Sequence, residues 1–339
     1  MKSKIGPIVV TGATGFLGRH LIAELIKNNY DIHIISRDAK KAENLFNNEK
    51  VKIIEASLTD KDSLLKIPKY STIFHCAAII GSIRASQQEY KLANIEGTRN
   101  LVNAVITKDA SSFVFVSSIS AVGAVGTIDN PITETTIPYP KTYYGKSKLV
   151  SEQLVFNLIP STIPVTIIRS PLIYGPGQNS LSGSGLLFKL CSKKIIPMMG
   201  TEESFIPLVY VKNMASGLID LWLNNTGKEI FNLADAKPYT LKDLIEALNM
   251  YNNIYNTNNV PNESKRFIKI PYPIASSIGS IANCVSWMLK KDLGLCSEVI
   301  KNLAKSGSMM DINKALNFGY KPTVSLPEGV ALTLSSSPL

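Results

Sequence analysis

Residues 8–26 decide the fold, and they read IVVTGATGFLGRHLIAELI. The first three are a β-branched run typical of a buried strand, and the apolar residues from Leu21 to Ile26 recur at helical spacing. Between these two patterns lie Gly12, Gly15 and Gly18, in the spacing GxxGxxG. A strand, a glycine turn and a helix in this order predict a dinucleotide site. The turn lets the backbone approach a pyrophosphate, and the helix N-terminus offers it N–H groups.

Predicted strands alternate with helices along the rest of the N-terminal half. Strands are predicted at 32–35, 51–54, 73–77, 113–116 and 165–168, and helices at 90–105 and 143–156. Such alternation is typical of a doubly wound parallel sheet that binds ligands at the carboxyl ends of its strands. We therefore expect an α/β Rossmann fold. Residues 1–175 would form the NAD(P)-binding domain and 176–339 a smaller substrate-binding lobe, with a segment around 205–235 returning to the first domain.

The composition is that of a soluble globular protein, with 339 residues, 45% of them hydrophobic and 18% charged. We expect no targeting segment and no spanning helix, because the apolar runs are short. The four cysteines are scattered and there are three histidines, so no metal site is expected and a reduced, cytoplasmic setting fits. The net charge is +10, but no basic run is interleaved with aromatic residues, so a nucleic-acid partner is not expected.

One later stretch leaves a peripheral contact open. Residues 271–289 carry apolar side chains on one helical face, and Lys290 and Lys291 follow. Such a face could pack on the lobe, cover an apolar pocket or lie on a membrane surface.

Tyr144 and Lys148 lie four residues apart in the predicted helix 143–156 and therefore share one face. A free phenol has a pKa near ~10 and exchanges protons poorly at neutral pH. An ammonium group one turn away favours the phenolate and lowers that pKa toward the working range. The spacing therefore indicates a proton-transfer pair, although a Tyr/Lys pair on a solvated helix would show the same pattern.

The end of the second predicted strand indicates which nicotinamide cofactor binds. An acidic residue there binds the ribose 2′-hydroxyl and repels a 2′-phosphate. This chain has Ser36 and Arg37 instead, and a guanidinium can form charge-assisted hydrogen bonds to a 2′-phosphate. Asp38 follows, and it would favour NAD(H) if it turned inward. The sequence therefore favours NADP(H) and keeps NAD(H) as the alternative.

Together the motifs make the chain resemble an extended short-chain dehydrogenase/reductase, the group that includes the NAD-dependent epimerase/dehydratase family. The resemblance covers nearly the whole chain. The matches in chain order are TGxxGxxG at 11–18, small residues at 76–78, NxxGT at 94–98, Ser118, YxxxK at 144–148, an RPxxxYGP-like segment at 169–176, a VxVxDxA-like segment at 209–215 and a closing segment at 311–322.

This resemblance implies roles for individual residues. Tyr144 would be the catalytic acid/base, Lys148 would bind the nicotinamide ribose and lower the pKa of Tyr144, and Ser118 would donate a hydrogen bond to the reacting oxygen. The substrate would contact Ser120, Leu172 and Tyr174. Besides Tyr144 and Lys148, the cofactor would contact Gly12, Thr14, Gly15, Phe16, Leu17, Gly18, Ser36, Arg37, Ser57, Leu58, Ala77, Ala78, Asn94, Pro171 and Ile173.

Two further implications concern the adenine end and assembly. Ser57 stands where the family often has an acidic residue, so the usual adenine contact is in question. Family members often pair through two helices, here 90–105 and 143–156, so the resemblance also implies a homodimer.

The substrate half departs from the nucleotide-sugar members of the family. Those enzymes commonly hold a substrate diphosphate with an asparagine and an arginine, at the positions where this chain has Leu172 and Ile206. Neither side chain can bind phosphate, so the pattern is closer to that of steroid-dehydrogenase-like and dihydroflavonol-reductase-like members. A register one residue different, or replacement of the arginine by Lys193 or Lys194, would remove this argument.

Three hypotheses follow for the function. The first is an NAD(P)-dependent oxidoreductase acting on a ketone or secondary alcohol of a largely apolar small molecule. The second is a nucleotide-sugar epimerase or dehydratase with tightly bound NAD. The third is a non-catalytic NADP(H)-binding protein, which would not need the set Ser118, Tyr144 and Lys148.

Overall fold

Parallel strands form the centre of the molecule, whose computed structural model describes residues 5–46, 50–80, 85–123, 126–179, 183–198, 205–255, 266–270, 274, 277 and 309–336. The strands in chain order are β1 (Ile8–Thr11), β2 (Ile32–Ser36), β3 (Val51–Glu55), β4 (Thr72–His75), β5 (Ser112–Ser118), β6 (Val165–Ser170), β7 (Leu172–Tyr174), β8 (Ile195–Met198), β9 (Phe205–Ile206), β10 (Leu208–Tyr210), β11 (Lys228–Asn232), β12 (Tyr239–Thr240) and β13 (Arg266–Lys269).

Seven of these strands make one sheet, in the order β11-β6-β5-β4-β1-β2-β3. Every neighbouring pair in it is parallel. The expected doubly wound α/β fold is therefore confirmed. Some predicted boundaries differ from the structure: β4 ends at His75 and not at Ala77, and β5 spans Ser112–Ser118 and not 113–116. The neighbour of β4, β1, ends at the same level, because Thr11, the last residue of β1, lies opposite His75.

The helices in chain order are α1 (Phe16–Lys27), α2 (Ala39–Leu45), α3 (Gln87–Tyr90), α4 (Gly97–Thr107), α5 (Tyr143–Leu158), α6 (Gly183–Cys191), α7 (Val211–Asn224), α8 (Leu241–Ile254), α9 (Asn313–Asn317) and α10 (Leu326–Ser336). Short 3₁₀ turns span Ser63–Lys66 and Ile119–Ala121. The stretch Lys91–Glu96 is a π-helical segment that joins α3 to α4. None of the helices within the described ranges is long and apolar enough to cross a membrane.

Alternating side chains of the sheet build a core on each of its faces. In β1, Ile8 and Val10 pack with α1 and α7, whereas Val9 packs with α4 and α5. Each fully buried aliphatic side chain stabilises the fold by roughly 1.5–3 kcal/mol. Both faces of β1 are therefore apolar, as a buried parallel strand requires.

The C-terminal lobe has its own core, but the chain crosses between lobe and sheet. Strands β7 and β10 pair in parallel, and their buried residues Tyr174 and Tyr210 pack with α6, α8 and α10. The chain then returns to the sheet, where α7 packs beside α1 and β11 pairs with β6. Of the apolar stretch 271–289, all but Ile274 and Ser277 lie outside the described residues.

Candidate active site

The glycine turn after β1 lies close to the backbone that follows β4. Gly12 has a positive φ of 70°, and a Cβ there would lie 2.6 Å from the Ala77 nitrogen. A Cβ on Gly18 would lie 2.2 Å from the Gly12 carbonyl oxygen. Both positions therefore require glycine. Because these residues have no side chains, a ligand can approach the backbone of the turn closely.

Helix α1 begins directly at this turn. Gly15 is its N-cap and supplies no side-chain hydrogen bond, so the first-turn N–H groups are left without a side-chain cap. Such groups, with the helix dipole behind them, favour an anion. Thr14 is half-buried beside them, while Phe16 and Leu17 pack against the lobe. The residues therefore fit the pyrophosphate of a dinucleotide.

Ser36, Arg37 and Asp38, which follow β2, are the residues that bear on the choice between NADP(H) and NAD(H). The Asp38 carboxylate accepts a hydrogen bond from the Lys41 nitrogen at 2.9 Å and so caps α2. The Ser36 hydroxyl donates to the Asp38 carbonyl oxygen at 2.8 Å. Arg37 is exposed. The acidic side chain thus points to its own helix, and the guanidinium stays accessible.

Two predicted cofactor contacts lie after β3. Ser57 is half-buried, and its hydroxyl lies 2.9 Å from that of Thr59. The Leu58 side chain packs against α4, since a Cβ on Gly97 would lie 3.1 Å from the Leu58 Cβ. No carboxylate takes part in these contacts of Ser57.

Residues 77 and 78 follow β4 and are joined to the site by hydrogen bonds. The Ala77 nitrogen donates to the Thr11 hydroxyl at 3.3 Å, and both alanines are half-buried. Asn94 holds the next residue, because its amide donates to the Ile79 carbonyl at 3.0 Å and accepts from the Ile79 nitrogen at 2.8 Å. Asn94 is buried, and its two hydrogen bonds fix the backbone of the segment that follows β4.

Helix α5 brings Tyr144 and Lys148 to the carboxyl end of β5. Lys148 is 3% exposed, and its Nζ donates to the Val116 carbonyl oxygen at 2.6 Å, two residues before Ser118. The start of α5 packs directly on the turn after Ser118, since a Cβ on Gly145 would lie 2.3 Å from the Ser120 carbonyl oxygen. The three predicted catalytic residues are therefore carried by two elements in direct contact.

Burial lowers the pKa of Lys148 to about 8, while the nearby carboxylate of Glu152 opposes that shift. At neutral pH the side chain is therefore mostly protonated, and it places a cation on the helical turn that follows Tyr144. The Tyr144 ring lies 6.2 Å from that of Tyr90. Ser118 caps the turn 119–121 by accepting a hydrogen bond from the Ser120 nitrogen at 3.1 Å, which leaves its own hydroxyl proton to donate.

The segment after β6 agrees only in part with the predicted roles. Pro171 is buried, and Leu172 and Ile173 are half-buried. Tyr174, a predicted substrate contact, is fully buried, and its hydroxyl donates to Asp235 at 3.3 Å. This finding disagrees with the prediction, because the side chain turns into the core of the lobe and exposes no surface to a substrate.

Two hydrogen-bond networks around the site were missed by the sequence analysis. His75 lies between Thr11 (2.7 Å) and Thr98 (3.0 Å), and burial lowers its pKa to about 3. Glu152 and Arg169 form a buried ion pair at 2.8 Å. Thr11, Thr98 and Arg169 each lie in a sequence motif, but no motif pairs them with His75 or Glu152, because these residues meet only after folding.

A small cavity lies beside Ile206 in the lobe, and Lys237 is one of the residues that line it. Its walls include Phe205, Ile206, Met309 and Met310, and Asp235 also lines it. Met310 forms a β-bridge with Ile132, in the segment that connects β5 to α5. The cavity therefore borders the connection between Ser118 and Tyr144.

Comparisons with known proteins agree with this geometry. A sterol-4-alpha-carboxylate 3-dehydrogenase, decarboxylating, of Dictyostelium discoideum is 28% identical over 95% of this chain and 98% of its own length. A putative UDP-glucose 4-epimerase of Methanocaldococcus jannaschii is 26% identical over 95% of each chain. The solved UDP-glucuronic acid 4-epimerase of Bacillus cereus in complex with NAD superposes with a TM-score of 0.72, at 23% identity and 98% coverage of each chain.

The family model described as "NAD dependent epimerase/dehydratase family" matches residues 8–234, which include the glycine turn, Ser118, Tyr144 and Lys148. The chain therefore belongs to the NAD-dependent epimerase/dehydratase family of extended short-chain dehydrogenases/reductases, and it is an enzyme of the NAD(P)-dependent oxidoreductase and epimerase type.

Proposed function

We propose that the protein is an NADP(H)-preferring oxidoreductase that acts on a ketone or secondary alcohol of a largely apolar small molecule. The observation that carries this proposal is the packing of α5, with Tyr144 and the buried Lys148, on the turn that follows Ser118. This packing supplies a proton carrier, a cation that tunes it and a hydrogen-bond donor on adjoining backbone.

A nicotinamide cofactor, held by the glycine turn and by Lys148, would supply or take up the hydride. Tyr144 takes the proton of the substrate hydroxyl during oxidation and returns it to the carbonyl oxygen during reduction. Lys148 stabilises the phenolate and holds the nicotinamide ribose. Ser118 donates a hydrogen bond to the oxygen on which negative charge develops, and such preplaced donors are most effective where water is excluded.

The cofactor preference is supported by Arg37 and by the capping role of Asp38. We expect Arg37→Asp to weaken NADPH binding far more than NADH binding, because the guanidinium would be replaced by a charge that repels the 2′-phosphate. Calorimetric titration of both cofactors measures the change. An equal effect on both would contradict the assignment.

The apolar character of the substrate is supported by Leu172 and Ile206, which stand where the nucleotide-sugar members commonly have an asparagine and an arginine. The relatedness to a sterol-4-alpha-carboxylate 3-dehydrogenase points the same way. A 3-hydroxysteroid, with or without a neighbouring carboxylate, is therefore the first substrate class to test.

The test begins with the purified protein. Any released nucleotide is identified after denaturation, and protein free of nucleotide is titrated with NADPH, NADH and UDP. Turnover is then measured by nicotinamide absorbance with NADP⁺ or NAD⁺ and a panel of hydroxysteroids and their carboxylates. The proposal is supported if NADP(H) exchanges freely, if UDP does not bind, and if NADP⁺ is reduced only when a steroid is present. Retained NAD together with UDP binding would instead favour a nucleotide-sugar epimerase, like the Methanocaldococcus relative.

We also propose a homodimer in a reducing, cytoplasmic setting. Leu92, Val150 and Phe156 are apolar side chains that stay exposed on the π segment and α5. The free thiol of Cys76 supports the other part of the proposal, the reducing setting. Light scattering on the wild type and on Val150→Lys tests the dimer, which the substitution would disrupt if these helices pair.

A further inference from the structure

The buried pair Glu152–Arg169 has no role in the chemistry described so far. Glu152 nevertheless lies one helical turn after Lys148 and is hydrogen-bonded to Ser117, the neighbour of Ser118. The side chains of Glu152 and Arg169 are 4% and 3% exposed. Two charges are costly to remove from water, and a buried pair often stabilises a protein no better than apolar residues of the same size. Stability alone therefore does not account for the pair.

The Glu152 carboxylate connects the three segments that carry or flank the predicted catalytic residues. It lies on α5, one turn after Lys148. One oxygen accepts a hydrogen bond from the Ser117 hydroxyl at 2.5 Å, next to Ser118. The carboxylate also accepts from Arg169 Nη2 at 2.8 Å and from Nε at 3.1 Å, on β6. Arg169 lies opposite Ser117 in the sheet.

Glu152 also lies one helical turn from Lys148 on the buried side of α5, where its carboxylate favours the charged ammonium group. Other titratable groups near Lys148 are Tyr144 on the same helix, and His75 and Cys76 at the end of β4. Burial holds the pKa of His75 at about 3 and that of Cys76 at about 12, so both are neutral near pH 7. Glu152 opposes the deprotonation of Lys148 that burial favours.

We propose that Glu152 and Arg169 are a positioning pair that keeps Lys148 protonated at neutral pH and joins α5 to β5 and β6. Glu152 attracts the ammonium group, and Arg169 limits that attraction, so the two partners act on Lys148 with opposite signs. The inference rests on the proposed function only in taking Lys148 as part of the catalytic set.

The opposite signs give a test that a purely structural role cannot imitate. The Cβ atoms of residues four apart on a helix lie about 6 Å apart. A unit charge at a separation of that size, in a medium of dielectric about 20, shifts a titration by about two pH units. We expect Glu152→Gln to lower the Lys148 midpoint by one unit or more. Arg169→Gln is expected to raise it by a smaller amount, and the midpoint of the double variant is expected to lie between those of Glu152→Gln and the wild type.

The midpoint can be measured without a substrate. Protein carrying ¹³Cε-lysine is titrated by NMR, and the Lys148 resonance is identified by its absence from Lys148→Met. Ser117→Ala is the matched control, because it removes a hydrogen bond to Glu152 but no charge; its midpoint should stay at the wild-type value. Circular dichroism reports folding, and Glu152→Asp, which keeps the charge, should keep the midpoint.

Shifts of the two single variants in the same direction, or no shift in either, would overturn the inference. If Glu152→Gln does not fold, Arg169→Gln and the double variant still test the inference. A Lys148 midpoint that does not rise in Arg169→Gln contradicts the proposed role of the pair. Failure of the proposed function is a separate result, because it appears as absent steroid turnover in the wild type and leaves the titration unaffected.

Discussion

Replacing Asp235 by asparagine should stabilise the protein at neutral and alkaline pH. The carboxyl is 2% exposed, and burial raises its pKa from 3.8 to about 6. Its oxygens accept from Asn213 Nδ2 at 2.7 Å, the Tyr210 nitrogen at 3.0 Å and the Tyr174 hydroxyl at 3.3 Å. An asparagine can keep its oxygen toward the two N–H donors and donate from its amide to the Tyr174 hydroxyl. The variant therefore removes a charge and keeps the geometry.

The sign and size of the effect follow from the pKa of Asp235. The folded protein holds this proton more tightly than the unfolded chain, so the contribution to stability is complete below about pH 4 and is lost as the pH rises through about 6. A difference of about two pH units corresponds to about 3 kcal/mol, of which about 2 kcal/mol falls between pH 4.5 and pH 8. Asp235→Asn should gain that amount relative to the wild type over this range.

Equilibrium urea unfolding, followed by tryptophan fluorescence at several pH values, measures the free energy of unfolding. Asp31→Asn is the control with opposite sign, because the hydrogen bond from Lys52 lowers the pKa of Asp31. Its loss of stability should grow as the pH rises, although by little, since Asp31 is exposed. A stability difference between Asp235→Asn and the wild type that does not change from pH 4.5 to pH 8 would refute the reasoning.

Three further changes test the site directly. Tyr144→Phe should lower turnover by roughly 10²-fold or more and leave calorimetric NADPH affinity near the wild-type value; an equal loss of both would contradict the catalytic role. Gly18→Ala should abolish cofactor binding, because its Cβ would lie 2.2 Å from the Gly12 oxygen, whereas Gly227→Ala, whose Cβ meets nothing within 4 Å, should bind normally. Leu172→Asn should change steroid turnover little, and newly gained UDP affinity in calorimetry would point to a sugar-nucleotide site.

Much of the N-terminal half could be predicted because its signals are local. The β-branched run, the glycine spacing and the helical repeat of residues 8–26 each depend on a few neighbouring residues. Boundaries were less certain where a partner strand decides them. The strand β5 continues to Ser118 because β6 pairs with it as far as Ser170, and no feature of residues 113–116 indicates that extension.

Side-chain partners distant in sequence could not be predicted. Tyr174 follows Leu172 and Ile173 in a motif that marks the cofactor edge, but its hydroxyl is bound by Asp235, which is 61 residues away in the chain. Nothing near Tyr174 in the sequence indicates that the lobe would bury it. The pair Glu152–Arg169 is similar, because nothing in the segment 169–176 indicates that Arg169 would bind a carboxylate 17 residues earlier in the chain.

The position of β11 at the edge of the main sheet has a consequence for synthesis on the ribosome. This strand, Lys228–Asn232, pairs with β6 only after the lobe segments β7–β10 have been made. Until then β6 is an unpaired edge, which is a site for association with other chains. A nascent chain that stops near residue 175 would therefore expose this edge. We expect such a fragment to need chaperones or to aggregate, whereas a chain that extends past residue 232 can close its own sheet.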